Sequence, residues 1–301
     1  MENEFLEKVT VITPDLSNEQ YHASTDFCSA SVLKKIKRSP LHWKEEERKE
    51  TDAFSFGSAY HCFMLEPEKF EKEFFVFDEK EIFEILRGEG AKNVRATKAY
   101  KEWYENQMIT AGSKTMLSAY DMEVIHKMEA RIKRHPFAYS LIRKGVAELS
   151  HMVEIENKFG KFKTKIRPDY LKIEKGVCVD LKTTTDASVK GFTRSAVEYD
   201  YHIQAALYSD MLEATYGRSF KFFFLAQEKT APYAFNIFSA SPQFIGQGRY
   251  EYENLMLLWD YCIKNGKYPG YQVWCENQYG VNELSLPGYA VNEINFYKHK
   301  F

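Results

Sequence analysis

Lys165-Ile166-Arg167-Pro168-Asp169, followed after ten residues by Asp180-Leu181-Lys182-Thr183-Thr184, is the stretch on which the reading of this chain turns. Phe162 to Ile173 is rich in β-branched and aromatic residues and reads as a strand. Glu174-Lys175-Gly176 is a turn signal, and Val177 to Thr183 reads as the return strand. A hairpin folded about Lys175 sets Asp169 opposite the neighbourhood of Leu181. Period-2 alternation puts Asp180 and Lys182 on one face, with Val179 and Leu181 on the other. Two carboxylates and an ammonium therefore converge at one end of a hairpin. Metal-dependent phosphodiester cleavage needs such a set: hard oxygen ligands for Mg²⁺ or Mn²⁺, and a compact cation to orient a water and offset phosphate charge. Taken singly the parts are common, since Asp-x-Lys on a strand is usually a solvated face and Pro-Asp a frequent turn pair.

Two further segments bear on the same chemistry. Tyr201-His202-Ile203-Gln204-Ala205-Ala206-Leu207-Tyr208 reads as a helix, with Asp200 as N-cap and Gly217 as stop. Gln204 and Tyr208 are four apart and share a face, so both can contact phosphate or brace the carboxylates. Upstream, Gly57, Ser58 and Ala59 suit a closely packed helix start that carries His61 on its first turns. On local grounds alone, His61 reads as a hydrogen-bonded core histidine, and Gln204 and Tyr208 as partly buried helix residues.

The ordered set of these motifs resembles the PD-(D/E)XK nuclease superfamily, in particular the RecE (exonuclease VIII) type of phages and prophages. The matching stretches are Gly57-x-Ala59-x-His61 with Leu65-Glu66-Pro67, Arg167-Pro168-Asp169, Asp180-Leu181-Lys182-Thr183-Thr184 and Tyr201-His202-x-Gln204-x-x-x-Tyr208. Asn18-Glu19-Gln20-Tyr21-His22 and Ser29-x-Ser31-x-Leu33-Lys34 with Ser39-Pro40 also fit, so the likeness runs from about residue 15 to about 215. The resemblance implies that His61, Asp169, Asp180 and the backbone carbonyl of Leu181 hold the metal. It implies that Lys182 is catalytic and that Gln204 supports the site. The family tends to carry an acidic residue ahead of the hairpin, for which Glu148 is chosen over Glu154 and Glu156. In the related λ-type exonucleases an N-terminal Arg and Ser bind the 5′-phosphate, which makes Ser29, Ser31 and Lys34 candidates for DNA contact, as is Tyr208. Lys35, Lys37 and Arg38 stand behind them. Helix capping by the serines and a solvated basic face is the competing reading of that segment.

The rest of the chain sets bounds. Its 301 residues permit one large α/β domain or two small ones, and 44% hydrophobic and 16% aromatic content provides ample core material. No apolar run is long enough to cross a membrane, and Met1-Glu2-Asn3-Glu4-Phe5 is not a secretory signal. Cys28, Cys62, Cys178, Cys262 and Cys275 are scattered and odd in number, which suits free thiols in a reducing cytoplasm and argues against an iron–sulfur cluster. The net charge of −2, from 41 basic and 43 acidic residues, does not advertise nucleic-acid binding. Any positive surface must be local; Lys34 to Arg38 and the trio Arg131, Lys133, Arg134 are the candidates.

The pattern predicts a single α/β domain over 1–301, with a central mixed β-sheet flanked by helices around a restriction-endonuclease-like core at about 54–240. An N-terminal helical segment at about 26–50 precedes the core, and a C-terminal helix and tail at about 241–301 follow it. Residues 1–25 read as irregular. Ser31 to Arg38, His42 to Glu50, Phe54 to Leu65, Lys98 to Gln107, Lys114 to His135 and Pro136 to Lys144 read as helices. Phe74 to Phe77, Phe220 to Gln227 and Tyr233 to Phe238 read as strands. Ser241-Pro242 opens a long helix to about Asn265.

The function expected from the resemblance is a metal-dependent 5′→3′ exonuclease on double-stranded DNA ends, using Mg²⁺ or Mn²⁺. Its partner would be a RecT-like single-strand annealing protein, and its assembly a homo-oligomeric ring, trimer or tetramer, in a bacterial host cytoplasm. The alternatives are a non-catalytic DNA-end-binding scaffold that keeps the fold, and an endonuclease or structure-specific nuclease with the same core. The residues by themselves say metal-assisted phosphodiester hydrolysis.

Overall fold

The computed structural model describes residues 4–14, 16–46, 52–271, 281 and 283–286. Ten strands are described: β1 (Lys8–Ile12), β2 (Phe74–Phe77), β3 (Thr115–Ser118), β4 (Val146–Ala147), β5 (His151–Asn157), β6 (Gly160–Ile166), β7 (Tyr170–Lys172), β8 (Val177–Thr184), β9 (Lys221–Glu228) and β10 (Phe235–Ser239). They form a five-stranded mixed sheet in the order β10-β9-β8-β7-β4, a three-stranded antiparallel sheet β1-β5-β6, and a parallel pair β2-β3. Around them lie α1 (Asn18–Ala23), α2 (Ala30–Arg38), α3 (Pro40–Glu45), α4 (Asp52–Leu65), α5 (Pro67–Glu73), α6 (Lys80–Gly88), α7 (Lys98–Ala111), α8 (Ala119–Lys133), α9 (Pro136–Leu141), α10 (Val189–Glu198), α11 (Tyr201–Tyr216) and α12 (Pro242–Asn265). The chain is thus one α/β domain with a mixed sheet flanked by helices, as its sequence pattern predicts.

Two apolar layers sandwich the central sheet. Val179, Leu181 and Leu225 face α4, α8 and α9, where Met64, Ile125, Met128 and Ile132 are fully buried. Cys178, Phe222, Phe224 and Ala226 face α11, α12 and α2. Strand alternation then dictates that Asp180 and Lys182, in step with Cys178, lie on the α11 side. β8 and β9 are parallel, so the chain between them must cross over a sheet face, and it does so through α10 and α11. That crossover carries Gln204 over Asp180.

The hairpin has the expected register, with Tyr170 opposite Val179 and Lys172 opposite Val177, and Gly176 takes the left-handed turn conformation at φ 58°. The strand read from Phe162 to Ile173, however, is two strands in two sheets. It breaks at Arg167-Pro168-Asp169 because proline lacks an N–H for the ladder and restricts the residue before it. The predicted helix from Lys114 begins instead with β3. Ser118 then caps α8 by accepting from Asp121 N. Among the described residues of the segment expected to be irregular, Lys8-Val9-Thr10-Val11-Ile12 pairs with β5, and Ser17 opens α1 with a capping box. His61 lies well inside α4 rather than on its first turns. Gly57 does not require its lack of a side chain, since an added Cβ would meet only Thr183 Oγ1, at 3.8 Å. Part of the expected helix His42 to Glu50, and Cys275, lie outside the described residues. Cys28, Cys62, Cys178 and Cys262 are buried free thiols.

Candidate active site

Asp169 closes the Pro-Asp turn that hands the chain from one sheet to the other. Its Oδ2 accepts from Leu181 N at 2.8 Å and lies 3.4 Å from His61 Nδ1. The Asp169 carbonyl in turn accepts from Glu148 N at 3.2 Å. Glu148 follows β4 with φ 51°, a left-handed conformation uncommon outside glycine. Its Oε2 pairs with Arg167 Nε at 3.0 Å, and Arg167 Nε also donates to the Glu148 carbonyl at 3.0 Å. Ligand atoms of His61, Glu148 and Asp169 all lie within 4.8 Å of one another. Glu154 and Glu156 sit away from this group on β5, paired with Lys163 and with Lys8 and Lys161.

Asp180 stands beside that trio. Its Oδ1 accepts from Gln204 Nε2 at 2.5 Å, and its Oδ2 lies 2.7 Å from Lys182 Nζ. Buried Oδ2 meets Lys182 as an ion pair and has no further hydrogen-bond partner. Gln204 Oε1 accepts from Lys34 Nζ at 3.3 Å. Lys182 and Lys34 both lie over the Tyr201 ring, at 5.0 and 5.1 Å from its centroid.

The electrostatics show a site short of positive charge. Burial, then the nearby Asp180, raises the Asp169 pKa. Burial, then Asp169, pushes Glu148 up to about 8. For Lys182 burial disfavours the ammonium, but Asp180 and Asp169 outweigh it and hold its pKa above the ordinary lysine value. Burial, then Lys182, brings Lys34 down to about 7. Crowded, desolvated carboxylates with an under-bonded Asp180 Oδ2 fit a divalent cation, which would relieve both repulsion and missing coordination. A mixed oxygen and imidazole donor set suits Mg²⁺ or Mn²⁺, the latter better served by the histidine. A second group, Asp200, His202 and Glu251, is filled by Lys37 Nζ, at 2.5 Å from Asp200 and 2.6 Å from Glu251, and is an ion-pair network.

His61 and Glu148 open onto a cleft of about 880 Å³ that Arg167, Leu181, Lys182 and Tyr201 also line. A neighbouring cavity of about 220 Å³ shares Glu148 and Arg167 and reaches Ser29, Ser31, Lys34 and Gln204. Ser29 also caps α2, accepting from Val32 N, and its Oγ is 2.9 Å from Ser31 Oγ. Tyr208 is buried but also lines this cavity, and its hydroxyl reaches the Arg167 carbonyl at 3.5 Å, where it braces the Pro-Asp turn. The basic run behind Lys34 is largely neutralised: Lys35 and Arg38 pair with Glu46, and Lys37 with Asp200 and Glu251. Arg131 Nε donates to the Pro232 carbonyl and Lys133 pairs with Glu129. Arg167 carries no role in the sequence reading beyond its place in the Arg167-Pro168-Asp169 motif. Its position before the proline is the available signal, since that residue is forced extended and away from the helix region.

Residues 28–279 match the family described as "PDDEXK-like domain of unknown function (DUF3799)". The chain belongs to this family. It is thereby a member of the PD-(D/E)XK nuclease superfamily, whose enzymes generally use divalent metals. Among solved structures it is similar to a candidate exonuclease from Eubacterium rectale, at 19% identity and TM-score 0.57, over 91% of this chain and 96% of that one. At that identity the likeness is one of fold. The structure of SSO0001, at 16% identity over 82% of this chain and 95% of that one, has a TM-score of 0.29 and carries no argument. No curated protein matches the chain. Among the described residues, no helix is long and apolar enough to cross a membrane.

Proposed function

We propose that the protein is a metal-dependent deoxyribonuclease that degrades linear duplex DNA from its 5′ ends and leaves 3′ single strands. The observation that supports this most is the meeting of His61, Glu148 and Asp169, with the Asp180–Lys182 pair beside them, behind a cleft that His61, Glu148 and Lys182 line. In this reading His61, Asp169, Glu148, Asp180 and the Leu181 carbonyl hold Mg²⁺ or Mn²⁺. The chemistry that such a cation would supply when bound is a more acidic water and an offset to negative charge on the phosphate.

The chain's own residues supply the rest. Lys182 is a charged donor at the cleft wall, placed to orient the attacking water and to stabilise charge that develops on the scissile phosphate. Gln204 holds Asp180 by its amide, so that Lys182 and Asp180 keep one geometry. Arg167 fixes the Glu148 carboxylate. Ser29, Ser31 and Lys34, in the adjoining cavity, are placed to contact the DNA backbone, and Tyr208 keeps the turn beneath them in place.

A lysine among metal-binding carboxylates has no use in a scaffold that only binds DNA ends, which favours catalysis. A chain of net charge −2 stays on DNA more readily if several subunits surround the strand, so a trimeric or tetrameric ring is part of the proposal. A RecT-like single-strand annealing protein in the bacterial cytoplasm would then receive the 3′ strand. The test is digestion of end-labelled linear duplex and of closed circular DNA, with Mg²⁺ or Mn²⁺ and with EDTA, alongside light scattering. Metal-dependent release of 5′ nucleotides from linear DNA only, by an oligomer, is the expected result. Nicking of closed circles at a similar rate by a monomer would leave an endonuclease, and inertness with either metal would leave the scaffold.

A further inference from the structure

The geometry points to Tyr201 as the positioning residue for both lysines of the site: its ring holds Lys182 beside Asp180 and Lys34 beside Gln204. The inference rests on the nuclease reading for its consequence in catalysis, but not for its geometry.

Both ammonium nitrogens lie within the range at which a ring face attracts a cation, at 5.0 Å for Lys182 and 5.1 Å for Lys34. The contacts close a circuit. Lys34 donates to Gln204, Gln204 donates to Asp180, Asp180 pairs with Lys182, and Tyr201 joins the two lysines. The ring is the element that both lysines share, so it fixes the position of one ammonium relative to the other. The ring itself is well anchored. It stacks on Phe224 at 5.7 Å and 27°, and Phe224 is the register partner of Asp180 on the next strand. Phe192 packs 5.9 Å away.

The backbone supplies a second observation. Asp200 precedes Tyr201 with φ 52° and makes no capping hydrogen bond, so its place at the start of α11 is not explained by capping. Lys37 holds Asp200 at 2.5 Å and is itself tied to Glu251 of α12. A left-handed residue pinned by an ion pair at the mouth of a site is a device for aiming the next side chain, and that side chain is Tyr201. Attraction of this kind uses the ring and not the hydroxyl, so phenylalanine should serve and an aliphatic residue should not.

The test uses the full chain with lysine labelled by ¹³C at Cε, with the two signals assigned through K34Q and K182Q. In the wild-type protein both signals are expected upfield from ring current. Y201F should keep both shifts and restore kcat on linear duplex. Y201L should lose both shifts, lower kcat roughly two- to thirty-fold, the equivalent of a cation–ring contact, and raise KM for DNA as Lys34 loses its place. Unshifted Lys182 and Lys34 signals in the wild type overturn the inference whether or not Y201L folds. A folded Y201L with wild-type kcat overturns it as well. Absence of cleavage by the wild type would count against the nuclease reading, while the shifts would still decide the position of the ring.

Discussion

The Leu181 amide donates to Asp169 Oδ2 at 2.8 Å, so the strand that carries Asp180 and Lys182 also fixes the carboxylate that faces them. One backbone hydrogen bond thereby sets the relation between the two halves of the motif. It also holds a buried charge near another, and burial and Asp180 raise the Asp169 pKa in consequence. A carboxylate whose folded pKa is raised opposes folding above its unfolded pKa.

Asp169→Asn follows from that. Asparagine keeps the shape and can still accept from Leu181 through its amide oxygen, but it carries no charge. In the absence of metal the variant should melt above the wild type, by roughly 2–4 °C per kcal/mol of relieved repulsion. It should lose both the metal-induced rise in Tm and DNA cleavage. Thermal melts with and without Mn²⁺ check this; a variant destabilised without metal would show that the carboxylate is structural.

Lys182→Ala separates chemistry from binding. The lysine pairs with Asp180 and faces the cleft, yet it is not a ligand. Cleavage should fall by roughly 100-fold or more, the scale of losing a charge-stabilising donor, while calorimetry still detects Mn²⁺ binding. His61→Ala should instead weaken Mn²⁺ binding, since it removes the one imidazole of the trio. Near-normal turnover by the lysine variant would remove the active-site assignment.

Much of this site is legible in sequence because it is built from local rules. A turn at Gly176 and period-2 alternation suffice to bring Asp169, Asp180 and Lys182 to one place. The parts that stay hidden depend on long-range geometry. Glu148, which the family resemblance singles out but no local pattern does, joins His61 and Asp169 as a left-handed residue after a two-residue strand. Asp180 turns toward Lys182 and Gln204 because a crossover helix arrives above it, a matter of sheet order. The basic run Lys34 to Arg38 looks like a DNA-facing surface in sequence, but folding brings Asp200 and Glu251, each more than 150 positions away, against Lys37. The break at Pro168 was open to prediction, since proline within an apparent strand argues against its continuity.

Gly248 is where α12 crosses α11. A Cβ added there would lie 2.0 Å from the His202 carbonyl oxygen and 2.9 Å from Ala206 Cβ. Neither backbone nor a buried alanine can yield, so Gly248→Ala should cost about 3 kcal/mol or more in urea denaturation. The strain falls on the turn of helix that carries Tyr201 and Gln204. Activity should therefore drop further than the unfolded fraction explains, at temperatures where the variant is still folded. A variant as stable as the wild type would mean that the two helices cross less closely than described.

His151 makes the acid limb of stability predictable. The side chain is fully buried; its Nδ1 lies 3.1 Å from the Leu149 carbonyl and its Nε2 3.0 Å from Tyr216 Oη. A carbonyl only accepts, so Nδ1 carries the proton and Nε2 accepts from the tyrosine, which is the neutral imidazole. Burial lowers its pKa to about 4 from 6.5. Between those values the unfolded chain binds a proton that the folded one does not, so stability falls as pH drops through that window. The loss amounts to about 3 kcal/mol by pH 4 from this one group. His151→Gln should be less stable than the wild type at pH 7, where the packing around the imidazole is lost. Between pH 6.5 and 4 its stability should decline by about 3 kcal/mol less than that of the wild type. Urea denaturation at half-unit pH steps measures both slopes. Parallel slopes for the two proteins would mean that His151 is protonated in the folded state.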